Sequence, residues 1–216
     1  MTSWLPRLSL SLRGHLPGRL RHVLRLGRHL VAKGQPSMAI PPELLADCRV
    51  CASRNELVKN LPRGGRVAEV GTYRGAFARH ILSACEPAEL HLIDLDFSPL
   101  DPAVAADARV TTHRGLSHDM LAQFPDAHFD WIYIDGDHSY DGASRDARVA
   151  AAKVKPGGHL VFNDFAHADP YLGAYGVHRA VVEFAATRGW RFVWWAYEPN
   201  GLYDVALRRP DLPTPA

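Results

Sequence analysis

The sequence predicts an α/β fold: a doubly wound parallel sheet with helices on both faces, ending in one antiparallel hairpin. Three observations predict it. Short apolar runs alternate with amphipathic stretches through the middle of the chain, the pattern of strand–helix–strand units with right-handed crossovers. The first such run, Gly65-Arg66-Val67-Ala68-Glu69-Val70, passes into the glycine turn Gly71-Thr72-Tyr73-Arg74-Gly75 and then into helically spaced Phe77, His80, Ile81 and Leu82. Near the end, Arg191–Ala196 and Leu202–Leu207 flank the turn Pro199-Asn200-Gly201, which marks a hairpin.

The elements follow in order. Residues 1–35 read as a basic extension. No Asp or Glu precedes Glu43, whereas Arg7, Arg13, Arg19, Arg21, Arg25, Arg28 and Lys33 all lie there. Leu16, Leu20, Val23, Leu24, Leu30 and Val31 give an amphipathic helix from about Arg19 to Ala32. Such a helix is expected to lie on anionic lipid, to pack on a partner subunit in a homodimer, or to stay a loosely docked tail. In a eukaryotic source it would also suit an organelle transit peptide. Gly34-Gln35-Pro36 and Pro41-Pro42 bracket a linker, so the folded domain spans about 36–210 and opens with a helix over Glu43–Leu61. Strands are expected at Val67–Val70, Leu90–Asp94, Arg109–Thr112, Trp131–Asp135 and His159–Asn163. Helices are expected at Arg74–Ala84, near Ala103–Ala106, and at Ser117–Gln123, Asp141–Lys153 and Val177–Arg188.

Composition excludes several classes. With 47% hydrophobic and 22% charged residues, the 216-residue chain can bury one sizeable core and is not a disordered protein. No run approaches the roughly 20 apolar residues of a membrane span, and arginines interrupt the N-terminal apolar runs that a secretory signal would need. Three cysteines argue against a disulfide framework and suit a cytoplasmic setting. Cys48 and Cys51 form a C-x-x-C without a second pair, and read as small apolar helix residues rather than a metal site.

Function should sit at the carboxyl ends of the parallel strands. Gly71 and Gly75 let a ligand approach the backbone, and the helix that follows presents free N–H groups. Glu69, a carboxylate at the tip of a buried strand, is costly without a cationic or hydroxyl partner. A cationic ligand is therefore favoured over a pyrophosphate. Asp94, 25 residues beyond Glu69, stands where an acidic residue takes the ribose hydroxyls of a nucleoside cofactor. Ser117 or Asp119 is the expected N-cap of the next helix, and Ser117 could also touch an adenine ring. A nicotinamide cofactor is the rival, but the G-x-G-x-x-G spacing is absent.

Taken in order, the Glu-x-Gly-x-x-x-Gly turn, the acid after the second strand and the terminal hairpin resemble the class I S-adenosylmethionine-dependent methyltransferases over about residues 43–208. The closest likeness is to the small O-methyltransferases, both catechol-type and those acting on sugars and antibiotics. The resemblance implies a Rossmann-like sheet of seven strands in the order 3-2-1-4-5-7-6. It also implies that Glu69, Gly71, Thr72, Tyr73 and Gly75 contact the methionine part of S-adenosylmethionine, Asp94 the ribose and Ser117 the adenine side, with Asp135 at the reactive end.

A second constellation follows the fourth strand, Asp135-Gly136-Asp137-His138-Ser139-Tyr140-Asp141, and meets Asn163-Asp164 after the fifth. Asp135, Asn163 and Asp164 offer hard oxygen ligands suited to Mg²⁺ or a similar divalent cation. The catechol-type pattern is Asp, Asp, Asn, so the second pair is reversed here. His138 stands where those enzymes have a catalytic lysine and is expected to take the acceptor's proton. It could instead tie the loop to Asp135 or Asp164, and a metal-free arrangement would make Asp135 its orienting partner. Asp137 and Asp141 are alternative caps of the following helix. The Phe165–Tyr175 loop, with His167, Asp169, Tyr171 and Tyr175, is the expected acceptor pocket, and Trp190, Trp194 and Trp195 are expected to pack the hairpin.

The resulting expectation is O-methylation of a small hydroxylated acceptor, a sugar or a phenol, with a divalent cation and no nucleic-acid partner. A noncatalytic accessory protein of the same fold, and a nicotinamide oxidoreductase, are the competing readings.

Overall fold

The computed structural model describes residues 38–169 and 173–211. The basic extension 1–35 lies outside the described residues, as does Tyr171. A 3₁₀ turn, Pro42–Leu44, leads into strand β1 (Arg49–Cys51) and helix α1 (Arg54–Lys59). Then come β2 (Arg66–Val70), α2 (Ala76–Ala84), β3 (Glu89–Asp94), α3 (Pro102–Ala105), β4 (Val110–Arg114), α4 (Ser117–Ala122), β5 (Phe129–Ile134), α5 (Tyr140–Lys153) and β6 (Val154–Phe162). A two-stranded ribbon, β7 (Ala168–Asp169) and β8 (Gly173–Ala174), precedes α6 (Val177–Arg188), β9 (Arg191–Ala196) and β10 (Asp204–Arg208).

The main sheet runs β1-β9-β10-β6-β5-β2-β3-β4. Numbered from β2, with β9 and β10 as sixth and seventh strands, this is 3-2-1-4-5-7-6 as expected, plus one added strand at the β9 edge. Only β10 runs antiparallel to its neighbours β6 and β9. The added strand corrects the expectation of a helix over Glu43–Leu61. Arg49–Cys51 pairs in parallel with Trp194–Ala196, and the helix shrinks to α1. Pairing with an otherwise open edge satisfies backbone groups that helical spacing alone cannot reveal. Ser53 then caps α1 by accepting the Glu56 N–H. Cys51 accordingly sits in a strand and Cys48 before it, neither in a helix.

Two apolar layers hold the sheet between them. On one face Ile132, Leu160, Phe162 and Val205 meet Ala143, Ala147 and Val181 of α5 and α6. On the other, Val67, Leu90, Leu92 and Trp131 meet Leu57, Val58, Ile81 and Leu82 of α1 and α2. Burial of both faces is why these strands read as near-continuous apolar runs. The tryptophans pack as expected: Trp190 against Phe184, Trp195 edge-on to Phe165, and Trp194 under the Arg49 guanidinium. No helix of the described residues is long and apolar enough to cross a membrane.

Candidate active site

Glu69 is the last residue but one of β2, in register with Leu92 of β3 and Tyr133 of β5, so its side chain is enclosed by sheet on both sides. It is 1% exposed, and its Oε2 has no hydrogen-bond partner among the described residues. Burial pushes its pKa up to about 8, and the Asp94 charge adds to the rise. Arg54 and the Thr72 hydroxyl, which lies close but outside hydrogen-bond geometry, oppose the shift. The Thr72 hydroxyl is itself buried, with no hydrogen-bond partner among the described residues. Two orphaned polar atoms in one turn mark a place prepared for a polar ligand.

The turn is shaped for close approach. Gly71 (φ +85°) packs so tightly that a Cβ would lie 2.0 Å from the Asp135 carbonyl oxygen. Gly75 (φ +76°) is the left-handed N-cap of α2, where a Cβ would meet Leu100. Between them Tyr73 is exposed, and its N–H donates to Asp94 Oδ2 at 2.8 Å. Asp94 thus borders the turn, as its spacing suggested. Ser117 differs from expectation: Leu116 is the N-cap of α4, and Ser117, the first helical residue, donates instead to Asp146 Oδ1 at 2.6 Å. A helix whose first turn docks on α5 needs that lateral bond more than a cap.

Around the ends of β5 and β6 a second group forms. His138 Nε2 lies 3.5 Å from Asp135 Oδ1, 3.5 Å from Asp164 Oδ2 and 3.4 Å from Asn163 Oδ1. Its ring stacks on Tyr175 with centroids 4.7 Å apart and planes 22° apart, and the His138 carbonyl accepts the Gly176 N–H. Burial raises the pKa of the Tyr175 phenol, and the neighbouring Asp164 charge adds to the rise. Burial raises the pKa of both carboxyls, most strongly that of Asp135, and each carboxylate raises the other or is raised by further acids nearby. Asp164 holds a left-handed backbone (φ 53°), which aspartate tolerates better than most side chains. Ser139, rather than Asp137 or Asp141, caps α5 through the Gly142 N–H, while Asp137 accepts the Ser139 N–H.

The oxygens expected to hold a divalent cation therefore surround an imidazole nitrogen. Among the described residues, the one group of three His, Cys, Asp or Glu whose ligand atoms lie within 4.8 Å of one another is elsewhere in the fold. Asp135, His138 and Asp164 do not close that tightly, and the Asn163 amide is anchored through its nitrogen to Asp204 Oδ1 at 3.0 Å. The oxygens of Asp135, Asn163 and Asp164 converge instead on His138 Nε2, which stands where a shared cation would.

Beneath them lie residues that sequence reasoning missed. Asp204, on β10, is fully buried and accepts from the Tyr133 hydroxyl (2.5 Å) and the Asn163 amide (3.0 Å). Burial pushes its pKa up to about 7. Arg54 at the start of α1 faces this acidic group, lying over the Phe77 ring, which packs against Tyr133. The signal for Asp204 was available: a lone charge in an apolar strand, the same signal that exposed Glu69. Arg54 gave none, because a single arginine at a helix start is commonplace.

Residues 68–165, from β2 to just past β6, match the family described as "Methyltransferase domain" (Methyltransf_24). Solved structures share the fold. The N-methyltransferase NodS from Bradyrhizobium japonicum, in complex with S-adenosyl-L-homocysteine, aligns over 87% of this chain and 98% of its own, with 16% identity and a TM-score of 0.57. An S-adenosylmethionine-dependent methyltransferase from Mesorhizobium loti covers 71% of this chain and 96% of its own (17% identity, TM-score 0.55). For an O-methyltransferase family protein from Burkholderia thailandensis the figures are 74% and 56% (15% identity, TM-score 0.55). No curated protein matches the sequence. In sequence pattern and in fold, the chain resembles the class I S-adenosylmethionine-dependent methyltransferases. Its domain is a Rossmann-like methyltransferase fold.

Proposed function

We propose that this protein transfers a methyl group from S-adenosylmethionine to a hydroxyl of a small acceptor, with His138 as the general base. The single observation that carries the reading is the pair of sites at adjoining strand ends. One is an orphaned buried carboxylate in a glycine turn; the other is an imidazole flanked by two carboxylates.

The residues present fit the cofactor. Glu69 Oε2 and the Gly71–Gly75 cradle would receive the ammonium end, and Asp94 the ribose hydroxyls. When bound, S-adenosylmethionine supplies an electrophilic methyl on a sulfonium. The acid-rich surroundings of Asp135, Asp164 and Asp204 favour a cation at that position. His138 Nε2 accepts the acceptor hydroxyl's proton as that oxygen bonds the methyl carbon and the carbon–sulfur bond breaks. Asp135 and Asp164 hold the ring in place and stabilise the imidazolium that results. Tyr175 limits its rotation by stacking. Alignment of oxygen, carbon and sulfur can itself supply about 7–11 kcal/mol of the barrier reduction. With His138 Nε2 at the centre of the oxygen set, the imidazole can take the proton without a metal.

The test has two stages. Thermal shift should show stabilisation by S-adenosylhomocysteine and none by NAD; the reverse result would sink the assignment. Labelled methyl transfer to a panel of sugars, phenols and amines, with and without EDTA, then addresses the acceptor. Hydroxyl acceptors and EDTA resistance are expected. Transfer only to amines, or loss of activity in EDTA, would overturn the oxygen acceptor or the metal-free base respectively.

A further inference from the structure

At the opposite end of the sheet from the proposed active site, three histidines and a glutamate meet around Phe124. Glu89 opens β3 and His91 follows two residues later on the same face; His113 comes from β4, and His128 immediately precedes β5. One ligand atom each from Glu89, His91 and His128 lies within 4.8 Å of the other two. His91 Nε2 is 3.3 Å from Glu89 Oε2, and His91 Nδ1 is 3.0 Å from His113 Nε2. The other Glu89 oxygen is held by Arg66 Nε at 3.2 Å, which fixes the carboxylate and leaves Oε2 for the cluster.

We propose that Glu89, His91 and His128 bind a divalent transition-metal cation of the Zn²⁺ type, with His113 as a positioning residue. Two imidazoles and one carboxylate form a recurrent three-ligand zinc set, and nitrogen donors disfavour Mg²⁺ and Ca²⁺. His113 matches the outer partner that a ligating histidine needs. If His91 donates Nδ1–H to His113 Nε2, its Nε2 lone pair is directed to the metal. The rings lie in an aromatic shell, with Phe124 5.0 Å from His91 and 5.5 Å from His128, and Phe129 4.8 Å from His128. Glu89, about half exposed, leaves an entry path. The Arg66 charge opposes a cation, so the nitrogen donors must supply most of the affinity. A bound ion would pin the connection between α4 and β5 onto β3, far from the cofactor, and so would act on stability rather than on the methyl transfer.

The experiment is calorimetric titration of the chelator-treated full chain with ZnCl₂, alongside Co²⁺ absorption spectra. Uptake of one Zn²⁺ per chain is expected, with unfolding raised on the order of 5 °C at saturation. His128→Asn and His91→Asn should each weaken uptake at least about tenfold, and His113→Gln about 10- to 100-fold. Far-UV circular dichroism and the metal-free unfolding midpoint show that each variant is folded; His128, in a connecting segment, is the safer substitution. Absence of uptake by the wild type overturns the proposal. So does wild-type affinity in folded His128→Asn, or a thiolate charge-transfer band in the Co²⁺ spectrum.

Discussion

In the proposed function Glu69 serves binding and His138 chemistry, and substitution can separate the two roles. Glu69→Gln removes a carboxylate that would face the cofactor ammonium. A charge-assisted hydrogen bond worth roughly 1.5–3 kcal/mol predicts about 10- to 100-fold weaker binding of S-adenosylhomocysteine by calorimetry. The same change should stabilise the ligand-free protein above pH 7, because no buried charge then forms. His138→Gln should leave that affinity nearly unchanged while lowering kcat about 10²- to 10⁴-fold. Asp135→Asn should give a smaller loss of kcat, since Asp164 still faces the ring at 3.5 Å. Equal losses of binding in both His138 and Glu69 variants would argue against this division.

At the scale of elements, the short α1 matters more than its length suggests. It carries Arg54, the cation whose charge opposes the pKa rises of Glu69, Asp135, Asp164 and Asp204. Ser53 sets where α1 starts, and the Arg54 N–H is fixed by Glu198 at 2.8 Å. Ser53→Ala should therefore cost about 1 kcal/mol in urea unfolding and also weaken S-adenosylhomocysteine binding, as the first turn of α1 that carries Arg54 frays. A stability loss with unchanged binding would show that Arg54 is positioned without the cap. The helix expected over Glu43–Leu61 ran straight through Ser53, so the cap it forms with the Glu56 N–H was not read from the sequence. Nor was the β1 strand just before it, since three residues pair there only because β9 offers an edge.

For the whole molecule, buried titratable groups set the dependence of stability on pH. Glu69 and Asp204 have folded pKa values of about 8 and about 7, above the ordinary carboxylate range. The folded state keeps protons that the unfolded chain has lost, so their effect is a fall in stability as pH rises towards 8. His159 and His178 act in the opposite sense at lower pH. Burial lowers them to about 4 from 6.5, so stability rises as pH climbs between those values. The two pairs nearly offset one another between about pH 4.5 and 6.5, so the stability of the ligand-free protein should be close to level there and then fall, with roughly 2 kcal/mol lost from Glu69 alone between pH 6.5 and 8. Unfolding midpoints across pH 5–8 check this. Glu69→Gln and saturating S-adenosylhomocysteine should each flatten the alkaline side.

The sequence by itself determined the alternation of strands and helices, the glycine turn, Glu69 beside it and Asp94 at the next strand end. Those features depend on contacts close in the chain: apolar runs, positive-φ glycines and a charge out of place in a buried strand. The tertiary structure alone decided what surrounds the chemistry. Asp135 and Asn163-Asp164 were legible as an acidic pair of strand ends. That His138 stands among them, stacked on Tyr175 and underlain by Asp204, depends on segments up to about 70 residues apart packing into one low-dielectric space. Ser117 turned from cap to lateral anchor, and β1 from helix to strand, for the same reason. Each needed a partner that local spacing does not encode.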